Sequence, residues 1–243
     1  MGGSPELDAV AEFRAARSRV LESIADSCLR AGRDPAGVTL VGVSKTVGAD
    51  RLAAAAAAGI TTLGENRVQE AATKAPLVPG VKWHLIGPLQ SNKARRAVEI
   101  FDVIQSVDSI ELARRLDRVG GEVGRPDGLG VYLQVNVDRD RAKAGFLPDD
   151  LEARLGEIVE LSNLRLLGLM TVGRLVGSAS EARPTFARLR ELSGRLRSRC
   201  EPMGPGLSMG MSGDYEIAVE EGATVVRGGR ALFGDRLGPV ARA

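Results

Sequence analysis

A lysine that closes a short apolar strand is the first residue whose placement suggests chemistry. Thr39-Leu40-Val41-Gly42-Val43-Ser44-Lys45 is a β-branched, apolar run that follows the turn residues Pro35-Ala36-Gly37 and ends polar. A lysine at the carboxyl end of a barrel's first strand lies at the barrel mouth. A partly desolvated amine there has a lowered pKa and condenses with an aldehyde to a Schiff base. Taken alone, the stretch fits a solvated strand-end lysine better; the rest of the chain reverses that preference.

Two further stretches have the composition of an anion site. Ser208-Met209-Gly210-Met211-Ser212-Gly213-Asp214 leaves an expected strand and enters a helix. Small residues let a backbone approach a ligand, and a helix N-terminus presents unpaired amides. Val226-Arg227-Gly228-Gly229-Arg230 leaves the last expected strand in the same way. Each reads singly as a glycine turn with a capping serine. Together, after strands seven and eight of a barrel, they read as a phosphate site. Met209 and Met211 flank it and either line it or pack in the core. His84, inside Trp83-His84-Leu85-Ile86-Gly87, reads as a hydrogen-bonded barrel-interior residue. The charges over 138–143 read as a solvated loop.

These residues need a frame to hold them. The 243-residue length suits one α/β barrel. Residues 5–30 read as an amphipathic helix with Phe13, Val20, Ile24 and Cys28 near helical spacing, ended by Gly32. Strands are expected over 39–45, 60–64, 81–86, 102–107, 131–137, 164–172, 206–209 and 223–227. The helices between them are expected over 50–58, 68–74, 92–99, 110–119 (capped by Ser109), 151–161, 181–199 and 214–221, with a last turn from Ala231. Residues 120–130 and 173–180 read as loops. The alternation predicts a closed parallel (β/α)8 TIM barrel with one extra N-terminal helix. Residues 1–243 form one domain, and the helix within 1–32 packs on it. An open doubly wound sheet is the alternative, but no Gly-x-Gly-x-x-Gly follows the first strand.

Composition narrows the function. A net charge of +2 gives no argument for nucleic acid or an anionic membrane. Cys28 and Cys200 lack metal spacing and read as plain thiols of a reducing, cytoplasmic compartment. A single histidine excludes most multi-histidine metal sites, and no metal is expected. No apolar run is long enough to span a membrane, and the N-terminus does not read as a signal peptide.

Several motifs are similar to those of a known family. They are Val43-Ser44-Lys45, Gly64-Glu65-Asn66-Arg67-Val68-Gln69-Glu70, the run from Trp83 to Lys93, Gly168-Leu169-Met170-Thr171, Leu207-Ser208-Met209-Gly210-Met211-Ser212, and Val226-Arg227 with Leu232-Phe233-Gly234. On these the chain resembles the pyridoxal-phosphate homeostasis protein (YggS/PLPBP) family over nearly its whole length. The resemblance implies a barrel like the cofactor domain of alanine racemase, with pyridoxal 5′-phosphate (PLP) held as a Schiff base on Lys45. It also implies that Asn66 lies near the ring, that Arg227 faces the pyridine nitrogen, and that Ser212 with the Gly228-Gly229 backbone holds the phosphate. One departure stands out. Gly228-Gly229-Arg230 replaces the family's usual aliphatic residue, glycine and hydroxyl residue, so Arg230 either substitutes for that hydroxyl or faces solvent.

Three functions remain in view: a monomeric carrier that buffers PLP and delivers it to apo-enzymes, a small PLP-dependent amino-acid racemase, and a phosphate-binding barrel enzyme without a Schiff base. Racemisation needs a base on each face of the carbanion. In alanine racemase the second base is a tyrosine from another domain. Here only residues 234–243 follow Phe233, and Tyr132 and Tyr215 fall in an expected strand and helix. The expectation is a non-catalytic carrier.

Overall fold

Val41, Val103, Tyr132, Met170 and Val225 come from five different strands, yet they form one buried apolar cluster. That cluster fills the inside of a closed barrel. The computed structural model describes residues 5–173 and 177–234. Its strands are β1 (Thr39–Val43), β2 (Thr62–Glu65), β3 (Lys82–Leu85), β4 (Val103–Val107), β5 (Leu129–Gln134), β6 (Leu164–Met170), β7 (Gly206–Met211) and β8 (Val225–Gly228). Each pairs in parallel with the next, and β8 pairs with β1 to close the ring. The expected barrel is the observed one.

Helices α2 (Ala49–Ala57), α3 (Val68–Lys74), α4 (Ala94–Ile100), α5 (Ile110–Val123), α6 (Pro148–Val159), α7 (Arg183–Arg197), α8 (Tyr215–Glu220) and α9 (Arg230–Phe233) follow the strands in turn. The extra helix α1 (Pro5–Arg30) packs on α2, α8 and α9. Its stripe of Phe13, Val20, Ile24 and Cys28 is buried as the helical spacing predicts. Phe13 meets Phe233 edge-on at 5.6 Å, and Arg51 lies over the Phe13 ring at 4.9 Å. Arg30 pairs with Glu220 at 2.8 Å, which ties the end of α1 to α8.

Several boundaries differ from expectation. β1 stops at Val43, so Lys45 lies in the turn beyond it. β5 runs over 129–134 rather than 131–137, and Val135 makes only an isolated bridge to Phe146. β7 extends to Met211, with a register shift against β8. The expected loop over 120–130 is shorter than its bounds: α5 continues through Gly120-Gly121 to Val123 and ends at Gly124 with φ 74°, and β5 begins at Leu129. Those two glycines let α5 lie against Asn163; a Cβ on Gly121 would stand 3.1 Å from its side-chain nitrogen. Ser109 caps α5 by accepting from Leu112 N–H, as expected. Within the expected loop over 173–180, residues 174–176 lie outside the described residues, and Ala179–Ala182 forms a 3-10 turn into α7.

Strands β6 and β7 approach each other only because Gly168 has no side chain. Its φ is +147°, and a Cβ there would stand 1.9 Å from Gly206 O. Gly168→Ala is expected to destabilise the protein by about 3 kcal/mol or more in urea unfolding. Gly156, inside α6 with open space around it, is the opposite case. Gly156→Ala is expected to stabilise by about 0.5–1 kcal/mol. A neutral Gly168→Ala would contradict the close pairing of these two strands.

Candidate functional site

The carboxyl ends of β1 and β2 are joined by a buried ionic network. Register places Val43 level with Gly64, so Ser44 and Glu65 follow side by side. Every polar atom of Ser44 is used. Its N–H donates to Gly64 O at 2.8 Å, and its Oγ–H, 3.0 Å from the same carbonyl, donates to Glu65 Oε2 at 2.9 Å. Its carbonyl accepts from Val47 N–H at 3.0 Å and from Lys74 Nζ at 2.9 Å. Glu65 is fully buried; its Oε2 also takes Lys74 Nζ at 2.8 Å, and its Oε1 takes the Asn66 N–H at 2.8 Å. The turn that follows holds Lys45, half-buried, and Thr46 with φ 66°. A β-branched residue in the left-handed region is strained, and such strain persists only where the surroundings over-determine the backbone.

Asn66 is pressed against β3. A Cβ on Gly87 would stand 2.4 Å from Asn66 O, so only glycine fits there. Ser106 Oγ in turn donates to Gly87 O at 2.6 Å. Neither Lys45 nor the Asn66 side chain has a hydrogen-bond or ion-pair partner among the described residues.

A second polar chain crosses the barrel interior. Arg227, 4% exposed, donates to Ser208 Oγ at 2.6 Å and to Thr171 O at 2.8 Å. Ser208 Oγ–H donates to Gln105 Oε1 at 2.6 Å, and Gln105 Nε2 lies 2.8 Å from His84 Nδ1. With the Gln105 oxygen occupied, its amide donates and His84 Nδ1 accepts, which requires a neutral imidazole. Burial pushes the His84 pKa down to about 4, in the same direction. Burial also lowers Arg227, to about 10. No carboxylate lies within ion-pair distance of Arg227 among the described residues.

The ends of β7 and β8 meet at Ser212. Its Oγ accepts from Gly229 N–H at 3.1 Å and from Ala231 N–H at 3.4 Å, so two amides converge on one point. Gly228 lies level with Gly42 of β1, and a Cβ on Gly229 would meet only Val43, at 3.6 Å. Lys45, Asn66, Ser212, Arg227, Gly228 and Gly229 therefore come from four neighbouring strand ends.

Other sequence-flagged residues fall elsewhere. Met209 is fully buried in the aliphatic core, and Met211 is 40% exposed. Gly210 is small because of α8, since its Cβ would stand 2.5 Å from that of Ala218. Arg230 is exposed. The 138–143 loop is not simply solvated. Asp138 accepts from Thr185 and Arg188, and Asn136 knots the loop through the carbonyls of Asp140 and Lys143. Lys74 was not flagged at all, although a lysine nine residues after a strand-end glutamate can turn back onto it from the following helix. Asp108, just after β4, was also missed; burial raises its carboxyl pKa. Among the described residues no cluster could hold a metal ion, and no helix is long and apolar enough to cross a membrane.

A closed ring of eight parallel strands is the fold that comparison finds in alanine racemase. Residues 27–237 match the family profile described as alanine racemase, N-terminal domain. The solved alanine racemase of Clostridium difficile shares this fold with a TM-score of 0.72 at 14% identity, over 94% of this chain and 58% of the racemase. Nearer relatives are of another kind. The pyridoxal phosphate homeostasis proteins of Pseudomonas aeruginosa and Escherichia coli are 43% and 37% identical, each over 90% of this chain and 94% of the relative. PipY of Synechococcus elongatus, solved with PLP bound, is 44% identical with a TM-score of 0.78, over 88% of this chain and 100% of PipY. The chain belongs to the pyridoxal phosphate homeostasis protein family.

His84 provides an internal check on the interior chain. It is the only histidine, so its imidazole gives unambiguous NMR signals. They are expected to show a neutral, Nδ1-accepting ring down to about pH 5, with titration near 4. The unfolded chain protonates first, so this group's stability contribution is complete above the ordinary 6.5 and is lost as pH falls from there toward 4. The total is up to about 3 kcal/mol. Titration near 6.5 in the folded protein would contradict the interior chain.

Proposed function

We propose that the chain binds PLP at the carboxyl end of its barrel, with the cofactor aldehyde joined to Lys45, and that it buffers and delivers the cofactor without turning over a substrate. The observation that carries this reading is Arg227, a buried guanidinium whose hydrogen-bond partners among the described residues are both neutral, with the Asp214 carboxylate acting on it only from beyond ion-pair distance. A buried cation is costly unless it is paired or fully hydrogen-bonded. An acceptor-rich, anionic ligand at this end of the barrel compensates it. Family membership supports the same ligand, as does the PLP in the PipY structure.

The residues present fit such a group. Lys45 supplies a primary amine with no hydrogen-bond or ion-pair partner among the described residues, and it would condense with the cofactor aldehyde with release of one water. The amides of Gly229 and Ala231, which now meet on Ser212 Oγ, provide two donors for a phosphate oxygen, and the Ser212 hydroxyl provides a third. Asn66 stands beside Lys45 on the adjacent strand end. Met209 takes no part.

When bound, PLP supplies an electron sink for carbanions beside the imine. Arg227 limits that sink. It can only donate, so it holds a ring nitrogen as an unprotonated acceptor. Neither tyrosine offers an opposite-face base at the mouth. Tyr132 is buried in the interior cluster with its hydroxyl on Thr224, just before the amino end of β8. Tyr215 opens α8 outside the barrel. The partners in this reading are apo-enzymes that lack their cofactor, and the carrier acts as a monomer.

Pyridoxal, which lacks the phosphate, is expected to bind at least about tenfold more weakly than PLP, since one charge-assisted hydrogen bond is worth about 1.5–3 kcal/mol. Equal affinities would misplace the phosphate loops. The carrier role is tested by incubating the PLP-loaded protein with L-alanine in deuterated water and following the α-proton by NMR. Negligible exchange is expected. Exchange at about 1 per second or faster with formation of the D-isomer would establish a racemase. Its loss in Asp108→Asn would identify the missing base.

A further inference from the structure

Lys74 and Glu65 are not needed to hold phosphate or ring, yet they are the most completely engaged polar residues beside Lys45. Lys74 Nζ bridges two groups: the Ser44 carbonyl at 2.9 Å and Glu65 Oε2 at 2.8 Å. Glu65 then spans both strand ends, holding Ser44 Oγ on one side and Asn66 N–H on the other. Ser44 O is also the acceptor that closes the turn from Val47, so Lys74 fixes the atom on which the Lys45 turn is hinged. The strained φ of Thr46 in that turn needs such a fixed hinge. The pair is shielded as well. The side-chain exposures are 13% for Lys74 and 0% for Glu65, and Glu70 stands 3.6 Å from the ammonium on its outer side.

We propose that Lys74 and Glu65 are positioning residues for Lys45: through Ser44 they hold the turn in the conformation that presents the Lys45 amine to the cofactor aldehyde. This inference rests on PLP binding at Lys45 as given above. It separates two stages of binding. Capture of the phosphate depends on the ends of β7 and β8, which the pair does not touch. Covalent attachment depends on the β1 turn, which it controls.

The experiment compares Lys74→Met, and the double variant Glu65→Gln with Lys74→Met, against the unsubstituted full-length protein. The double variant removes both charges together, so it leaves no unpaired buried carboxylate to unfold the barrel. Two quantities are read: the rate at which the visible absorbance of the Lys45 adduct grows after mixing with PLP, and the affinity for pyridoxine 5′-phosphate. That compound keeps the phosphate and ring nitrogen but has no aldehyde. Both variants are expected to slow attachment by about tenfold or more. Pyridoxine 5′-phosphate affinity is expected to be unchanged in Lys74→Met and to fall less than the attachment rate in the double variant, where the Glu65 contact to Asn66 N–H is also altered. An unchanged attachment rate in a folded variant overturns the proposal. So does an equal loss in both readouts, and so does loss of fold in both variants, because either makes the pair a general support of the barrel. Failure of the underlying reading looks different: the unsubstituted protein itself then forms no adduct with PLP.

Discussion

Glu65 is a carboxylate with no contact with solvent, and its charge has to be met within the protein. Removing an ion from water costs several kcal/mol unless close partners replace the lost hydration, and breaking such a buried pair costs about 3–5 kcal/mol. Its partners come from three places: Ser44 after β1, Asn66 after β2 itself, and Lys74 at the end of α3. Satisfying one charge therefore welds two adjacent strand ends to the helix that follows them. Lys45 and Asn66 are the residues next in line on each strand end, so the weld is also what places them. The Gly87 contact extends it to β3, because the Asn66 backbone occupies the space a side chain would need.

Arg227 poses the reverse problem across the barrel. Its charge is buried among a hydroxyl and a carbonyl, and the chain of donors runs on through Ser208 and Gln105 to His84. Each donor in that chain fixes the next, so the neutral state of His84 and the orientation of the guanidinium are linked. The interior is thus divided. An apolar cluster of Val41, Val103, Tyr132, Met170 and Val225 excludes water, and this polar chain holds one cation beyond ion-pair distance of any carboxylate among the described residues, Asp214 acting on it only at longer range. The first region adds to the larger apolar core between strands and helices; the second holds a cation without an ion-pair partner among the described residues.

Much of this was legible in the sequence because strands buried on both faces and helices buried on one leave distinct periodicities. The barrel, the extra helix α1 and the cap at Ser109 were readable in that way. Boundaries were less so. Gly120 and Gly121 resemble loop residues, but their smallness serves packing against Asn163, which lies some forty residues further along the chain and was invisible in the local pattern. The candidate residues at strand ends were found because barrels concentrate chemistry there. Met209 follows from strand alternation, in which adjacent residues face opposite ways: Ser208 enters the interior chain, so Met209 faces the helices. Lys74 was overlooked because a lysine in a short helix has no local feature that distinguishes a buried bridge from a solvated side chain.

The central claim is that the β1 turn presents Lys45 as the group that joins PLP. Borohydride reduction of the PLP-loaded protein, followed by peptide mass mapping, tests it most directly. The account predicts one reduced phosphopyridoxyl adduct, on the peptide containing Lys45. An adduct on another lysine, Lys74 included, or no adduct in a protein that has retained PLP, would contradict it.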